Sequence, residues 1–503
     1  MADHFLDARV REGRGARIAV RTDERSWTFA EVQTQANRVA NLLQAKGVRP
    51  EERVILALDD GPEFVIAFFG VLKLGAVVVM LNPELNVDKI EGLYDYTRAR
   101  AAFVSDRTRG AFETAGKGAR FLDALVVTGT PEFETELEDY PDQFDNFRSH
   151  RDDPAVWLFS GGTTGLPKAV VQTHRSFANT TYCYGQETLR FAEDDVTLSV
   201  PKLYFGYATG SNLLFPFSVG ASIVLFPERC TAECLFEKIA LHRPTILITV
   251  PTMIKNLLDH PTRQDQDFGS LRLATSAGEA LPVKLHHRWT EAFGVDLLDG
   301  FGTAEMWHIF ISNRPGDIRP GTLGKAVTGF DLRVCSDEGE DLPTGQTGWL
   351  WVRGDSRALG YWQEMEKTRW GFRGDWYVTG DMVARDEDGY LTYHGRADDM
   401  LKVSGKWLAI REVEECLQRH PAVKEAVVVG VDDGDGLTKP YGFVVAADAT
   451  RDLEATLQEF VKTHLEPFKY PRRIEFFSEL PRTHLGKVDR GRLRKEQSER
   501  NRK

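Results

Sequence analysis

The segment Ser160-Gly161-Gly162-Thr163-Thr164-Gly165-Leu166-Pro167-Lys168 is the densest concentration of chemically capable residues in the chain, and it directly follows the apolar run Ala155 to Phe159. Glycines let backbone N–H groups approach an anion closely, hydroxyls add donors and a lysine adds positive charge, so the segment reads as a phosphate cradle. It departs from the GxxxxGK[ST] pattern, because two residues separate Gly165 from Lys168 and no Ser or Thr follows the lysine to hold Mg²⁺. A flexible surface loop is the alternative reading. Cys230 and Cys234 have a spacing seen in metal sites, but with no second Cys/His pair nearby they are expected to be small helix residues.

A phosphate-binding loop needs a strand before it and a fixed scaffold around it. The sequence alternates accordingly: a strand at Ala155 to Phe159, a helix from about His174, a strand at Thr197 to Val200, an apolar helix near Asn212 and a strand at Ala221 to Phe226. Helix Ala232 to Leu241, strand Thr245 to Thr249, helix Thr252 to Leu258 and the short runs Leu271 to Ala274 and Val295 to Leu298 continue it. Repeated βα units imply parallel sheets covered on both faces, hence an α/β fold. From Thr322 to His394 short alternating runs with turn residues predict a small β subdomain. The charged linker Ala397-Asp398-Asp399 marks a boundary, giving a large domain over 1–396 and a small α+β domain over 397–503. In the latter, strands are expected at Ala426 to Val431, Gly442 to Val445 and Arg473 to Phe477, with a helix at Leu453 to Leu465. The acidic stretch Glu132 to Asp145 is expected to be a solvated surface connection.

At 503 residues, the chain is about three times the usual domain size, so several domains are the default. With 42% hydrophobic and 27% charged residues it falls in the ordinary globular class. A formal charge of −12 argues against broad nucleic-acid binding, which needs a basic face. Five cysteines are too few and odd for a disulfide framework, and the charged N-terminus lacks the apolar run of a signal peptide, so a cytoplasmic location is expected. Phe64 to Leu81 is nearly long enough to span a bilayer, but Lys73 and Gly75 interrupt it. With Val54 to Leu58 before it, the stretch reads as a βαβ unit, and no membrane insertion is expected.

Together with Gly300-Phe301-Gly302-Thr303-Ala304-Glu305, Trp376-Tyr377-Val378-Thr379-Gly380-Asp381, Gly395-Arg396-Ala397-Asp398-Asp399 and Pro481-Arg482-Thr483-His484-Leu485-Gly486-Lys487, in that order, the loop resembles the motif series of the adenylate-forming superfamily. The resemblance spans nearly the whole chain. It implies an N-terminal adenylation domain binding ATP and an acid, and a mobile C-terminal domain carrying a catalytic lysine.

Residue by residue, the resemblance implies catalytic roles for Lys487, Thr163, Lys168 and Glu305. Glu305 matches the carboxylate that binds the Mg²⁺ of ATP, a hard cation that prefers oxygen. Ser160, Gly161, Gly162, Thr164 and Gly165 match the phosphate loop, while Phe301 with Gly278, Glu279, Gly302 and Thr303 matches the adenine site. Asp381 and Arg396 match the pair that fixes the ribose hydroxyls, and Asp398 the hinge of the small domain. Gly405 would leave room for the pantetheine arm of CoA, and Lys487 would neutralise the two anions that must meet when the adenylate forms. Taken singly, Glu305 or the Asp381–Arg396 pair could serve as structural ion pairs, Phe301 as a core aromatic and Lys487 as a solvated lysine. Ala304 stands where the family usually has threonine, one residue after Thr303, and Thr163 and Thr164 are expected to supply the missing hydroxyl contact.

Lys202 to Tyr207 and Glu305 to Phe310 look most like the benzoate–CoA ligases and their amino- and hydroxybenzoate relatives. The resemblance implies substrate contacts from Tyr204, Tyr207, Ala277, Gly302 and His308, with the aromatics walling a flat pocket and His308 donating to a ring substituent or carboxylate. It implies an AMP-forming aryl-CoA ligase that takes an aryl carboxylic acid, ATP, Mg²⁺ and CoA, with benzoate or 2-aminobenzoate as the acid. A stand-alone adenylation enzyme loading a carrier protein, and an inactive adenylate-binding homologue, stay open, as do the ring substituent and a homodimeric state.

Overall fold

A computed structural model describes the chain except for residues 161–167, 398–399, 404–405, 433–437, 447–451, 482–487 and 502–503. The expectations on Gly161, Gly162, Thr163, Thr164, Gly165, Asp398, Gly405 and Lys487 lie outside the described residues. The chain forms two compact units, the first of residues 1–332, 351–379 and 388–392, the second of 333–350, 380–387 and 393–503.

Two large sheets organise the first unit. In one, the parallel strands Ile18–Arg21, Ser222–Val224, Val196–Ser199, Ile246–Thr249, Leu273–Ser276 and Leu297–Gly302 lie side by side, with the antiparallel strands Ser26–Thr28, Ile309–Ser312 and Lys325–Ala326 at the edges. In the other, Ala124–Thr128, Ala101–Ser105, Arg53–Ala57, Val77–Met80 and Pro154–Ser160 run parallel, Lys168–Thr173 adds antiparallel to the last of them, and Gly360–Tyr361 adds antiparallel to Lys168–Thr173. Such strands are buried on both faces, which is why runs such as Val77–Met80 read as continuous β-branched segments without alternation. The expected βα alternation is therefore present, with boundaries shifted by up to four residues, and the fold class is α/β.

The stretch resembling a membrane span is the helix Pro62–Lys73 followed by the strand Val77–Met80. Among the described residues no helix is long and apolar enough to cross a membrane. Gly75 makes the turn between them at φ 78°, where a Cβ would lie 2.4 Å from the Phe147 ring. Lys73 is buried and pairs at 2.6 Å with the equally buried Asp7, which also accepts from Gln33 Nε2 at 2.8 Å and Asn146 Nδ2 at 2.6 Å.

The acidic stretch Glu132 to Asp145 is largely exposed, as expected of a surface connection, but it begins in a helix that the charge pattern did not predict. Pro131–Glu138 is a helix, N-capped by Thr130, and its i,i+4 pair Phe133 and Leu137 is buried. Its continuation is pinned through Asn41 Nδ2 to the carbonyls of Pro141 and Gln143 at 2.9 Å, and through Asn146 to Asp7.

In the second unit, the antiparallel strands Val423–Asp432 and Thr438–Ala446 and the parallel strand Arg473–Phe477 form a sheet. Helices Ile410–Gln418 and Leu453–His464 bury Val413, Leu417, Leu457 and Val461 in a shared core with Val428 and Val444. Arg490 holds the buried Glu414 with Nη2 to Oε2 at 2.9 Å. Residues 333–350 and 380–387 pack within this unit.

Removing one partner of a buried ion pair leaves the other charge uncompensated. Asp7→Asn is expected to lower the unfolding free energy by about 3 kcal/mol, measured by urea titration.

Candidate active site

In open α/β sheets ligands bind beyond the carboxyl ends of the parallel strands. A cavity of about 580 Å³ lies there in the first unit. Its floor is made by residues that follow those strands: Ala277, Gly278 and Glu279 after Leu273–Ser276, and Gly302, Thr303 and Ala304 at the end of Leu297–Gly302. Tyr204, Tyr207, Trp307 and His308 wall it, and Leu158 and Phe159 bring in the strand that leads to the Gly-rich loop. Tyr204, Tyr207, Ala277, Gly278, Glu279, Gly302, Thr303 and His308, all singled out in the sequence, thus share one cavity. Phe301, outside that lining, is half-buried and edge-on to Phe310 at 5.6 Å.

The wall is fixed by a tight reversal. Gly302 pairs with Ile309, and a Cβ at Gly302 would lie 2.2 Å from the His308 carbonyl oxygen. The residues between turn back through Ala304–Met306 and a three-residue turn centred on Trp307, with φ 63°, ψ −47° and the His308 N–H bonded to the Met306 carbonyl at 2.8 Å. A γ-turn of this hand is rare and strained for a bulky residue. Packing holds it: Trp307 is fully buried against Phe177 at 4.3 Å between ring centroids.

His308 is buried among Phe215, Tyr207 and Tyr184. Its Nε2 lies 3.0 Å from the Tyr207 carbonyl, which only accepts, so Nε2 carries the proton and Nδ1 keeps its lone pair. Nδ1 is buried without a partner among the described residues. Burial lowers the imidazole pKa to about 4, so it is neutral at physiological pH. The histidine therefore offers an acceptor, where the sequence suggested a donor. Tyr207 is occupied with Thr275 Oγ1 at 2.7 Å.

Several polar atoms around the strand ends are buried and unpartnered among the described residues: Ser160 Oγ, Ser276 Oγ, Thr303 Oγ1 and Asp299 Oδ1. Native proteins rarely leave such groups unsatisfied, and together they describe a site built to receive a polar ligand. Asp299, paired in register with Ser276, is buried, and this raises its pKa to about 8 despite backbone N–H bonds from Gly300 and Leu281.

Glu305 is 5% exposed, and its Oε1 accepts from the Tyr361 hydroxyl at 2.8 Å. Lys168 Nζ lies 4.5 Å over the ring of the same Tyr361. In the second unit, Arg396 Nη1 pairs with Asp381 Oδ2 at 3.1 Å, and the Tyr393 hydroxyl donates to Asp381 Oδ1 at 3.2 Å. Gly380 is required beside them: at φ 78°, a Cβ there would meet the Arg396 guanidinium at 2.8 Å. The five cysteines are free, with Cys230 preceding and Cys234 inside the helix Ala232–His242. No group of three or more His, Cys, Asp or Glu side chains suited to a metal occurs among the described residues.

Residues 6–362 match the family described as AMP-binding enzyme, and residues 412–487 match its C-terminal domain. The chain belongs to the AMP-binding enzyme family. This AMP-binding enzyme is 39% identical to the benzoate–CoA ligase of Thauera aromatica, over 98% of this chain and 95% of that one. It is 33% identical to the anthranilate–CoA ligase of Pseudomonas aeruginosa, over 92% and 89%. Among solved structures it resembles the anthranilate CoA ligase AuaEII in complex with anthranoyl-AMP, with a TM-score of 0.85 and 39% identity over 98% and 96% of the two chains.

Sequence reasoning missed Asp299, Trp307 and Tyr361. Asp299 ends the stretch Val295-Asp296-Leu297-Leu298 and is not told apart from Asp296 by residue type, and Tyr361 lies 56 residues from Glu305 with no local spacing pointing to it.

The Asp299 carboxyl binds its proton more tightly folded than unfolded, so this contribution to stability is present at acidic pH and is lost as pH rises from about 4 toward 8. The melting temperature of Asp299→Asn is therefore expected to gain on that of the wild type between pH 5 and pH 9 in calorimetry, and parallel curves would contradict the burial argument.

Proposed function

We propose that this AMP-binding enzyme is a cytoplasmic, Mg²⁺-dependent aryl-CoA ligase that activates benzoate or 2-aminobenzoate as aryl-AMP with release of pyrophosphate, then transfers the aryl group to CoA. The observation that carries this reading is the cavity of about 580 Å³ whose aromatic wall, Tyr204, Tyr207 and Trp307, suits a flat ring and whose buried His308 Nδ1 awaits a donor. The benzoate- and anthranilate-ligase relatives support the same class of acid.

A carboxylate oxygen of the acid attacks the α-phosphorus of ATP while the bond to pyrophosphate breaks. Both reactants are anions, so fixed positive charge and N–H donors lower the barrier. Gly161, Gly162, Thr163, Thr164, Gly165 and Lys168 take the phosphates, and Lys487 of the small domain neutralises the approaching carboxylate. Adenine lies against Gly278, Glu279 and Phe301, and its amino group donates to the open oxygen of Asp299, which favours the ionised form of that carboxyl. Asp381, oriented by Arg396 and Tyr393, accepts from the ribose hydroxyls.

The residues present suit Mg²⁺: Glu305 is a buried carboxylate with one oxygen bonded to Tyr361 and the other unpartnered among the described residues. Mg²⁺ commonly takes one or two carboxylates and completes its shell with phosphates and water. Bound there, it would spread the charge of the phosphates. After the small domain turns about Asp398, the CoA thiolate reaches the acyl carbon past Gly405, the C–O bond to AMP breaks and AMP leaves.

The absence of threonine at 304 has a nearer remedy than Thr163 or Thr164. Thr303 Oγ1 is buried, unpartnered among the described residues and belongs to a cavity-lining residue, so it supplies a hydroxyl next to the phosphates.

Mass spectrometry after incubation with ATP, Mg²⁺, CoA and an equimolar mixture of benzoate and its amino and hydroxy derivatives tests the reading. A dominant benzoyl- or 2-aminobenzoyl-CoA is expected. Aryl-AMP without thioester would point to a carrier-protein acceptor, and neither product would overturn the reading. His308→Phe removes the acceptor, and kcat/KM for 2-aminobenzoate relative to benzoate is expected to fall about tenfold.

A further inference from the structure

The buried carboxylate of Glu305 and the ammonium of Lys168 are opposite charges that approach the same side chain, yet no ion pair joins them among the described residues. Tyr361 stands between. Its hydroxyl donates to Glu305 at the ring's rim and its face carries Lys168 at 4.5 Å, so the two charges meet different parts of one aromatic group.

Tyr361 is itself held at several points. Gly360 and Tyr361 pair antiparallel with Val171 and Val170 of the strand that begins at Lys168. The Ala358 N–H donates to the Glu305 carbonyl at 2.8 Å, and the Tyr361 N–H donates to Thr368 Oγ1 at 3.0 Å. Gly360 is needed for this, since a Cβ there would lie 2.6 Å from Thr368 Cγ2. Gln172 Nε2 completes the clamp by donating to the Ala304 carbonyl at 2.6 Å. The short strand therefore fixes both the backbone and the side chain of Glu305, and does so from the strand that leaves the Gly-rich loop.

We propose that Tyr361 is a positioning residue that couples the phosphate loop to the metal carboxylate, orienting Glu305 through its hydroxyl while its ring keeps Lys168 available to phosphate. The inference rests on the reading of Glu305 as the Mg²⁺ carboxylate. With Oε1 engaged by the phenol, Oε2 is the oxygen left to a cation. Were the ring absent, lysine and glutamate would be drawn into a direct pair that satisfies both and serves neither anion nor cation.

Calorimetric titration of the full chain with an ATP analogue carrying a methylene bridge between the α and β phosphorus, with Mn²⁺ and again with EDTA, separates the two functions of Tyr361. Tyr361→Phe keeps the ring, so Mn²⁺-dependent affinity is expected to fall about tenfold while metal-free affinity and melting temperature hold. Tyr361→Leu loses both, so metal-free affinity should fall as well. Glu305→Gln is the reference. If it abolishes the Mn²⁺ dependence and Tyr361→Phe leaves it intact, Tyr361 does not position Glu305, although the metal assignment stands. If Glu305→Gln changes nothing, the metal assignment fails and the coupling with it. An equal loss with Mn²⁺ and with EDTA in Tyr361→Phe would mark a purely structural tyrosine and overturn the proposal, and this variant alone decides should Tyr361→Leu not fold.

Discussion

The close approach of Gly302 to the carbonyl of His308 is the constraint from which the cavity follows. A Cβ at position 302 would sit 2.2 Å from that oxygen, so a side chain there would push the two strands apart. With glycine the chain reverses within six residues, which leaves a single tight solution at Trp307, with φ 63°. The strain is held by burial of the indole, and the outcome is a histidine whose ring lies over Gly210, where a Cβ would fall 2.4 Å from His308 Cδ2. Two glycines on different elements thus fix one imidazole, and the imidazole fixes the polarity of the pocket wall.

Charge around the strand ends is arranged by environment more than by residue type. Asp299 and Glu305 lie six positions apart and both are buried, but Asp299 has an open oxygen among backbone donors while Glu305 is held by a phenol. The first is pushed toward its neutral form, to about 8, and becomes comfortable as an anion only when a donor arrives. The unpartnered Ser160, Ser276 and Thr303 hydroxyls follow the same logic.

Much of this was legible in the sequence because the fold leaves periodic traces. The helix Ala232–His242 and the strand Arg473–Phe477 fall where apolar periodicity put them, and the glycine-rich turns mark strand ends. Lys73 illustrates the limit. Its charge argued correctly against a membrane span, but its burial with Asp7, 66 residues away, has no local signature. In the acidic segment the exposed carboxylates were read correctly, while the helix marked by the i,i+4 pair Phe133 and Leu137 was not. Tyr361 failed for the reason that long-range pairs always do: antiparallel register between Gly360–Tyr361 and Lys168–Thr173 brings together residues that composition and spacing treat as unrelated.

The replacement of threonine by Ala304 shows how such a site absorbs change. Position 304 has only a methyl group to offer, yet its carbonyl is bound by Gln172 Nε2 at 2.6 Å, so the backbone there is anchored to the strand that follows the Gly-rich loop. Anchoring the backbone keeps Glu305 in register whether or not a hydroxyl is present. The hydroxyl of Thr303 is unpartnered among the described residues and belongs to a residue that lines the cavity, one position before this anchored backbone.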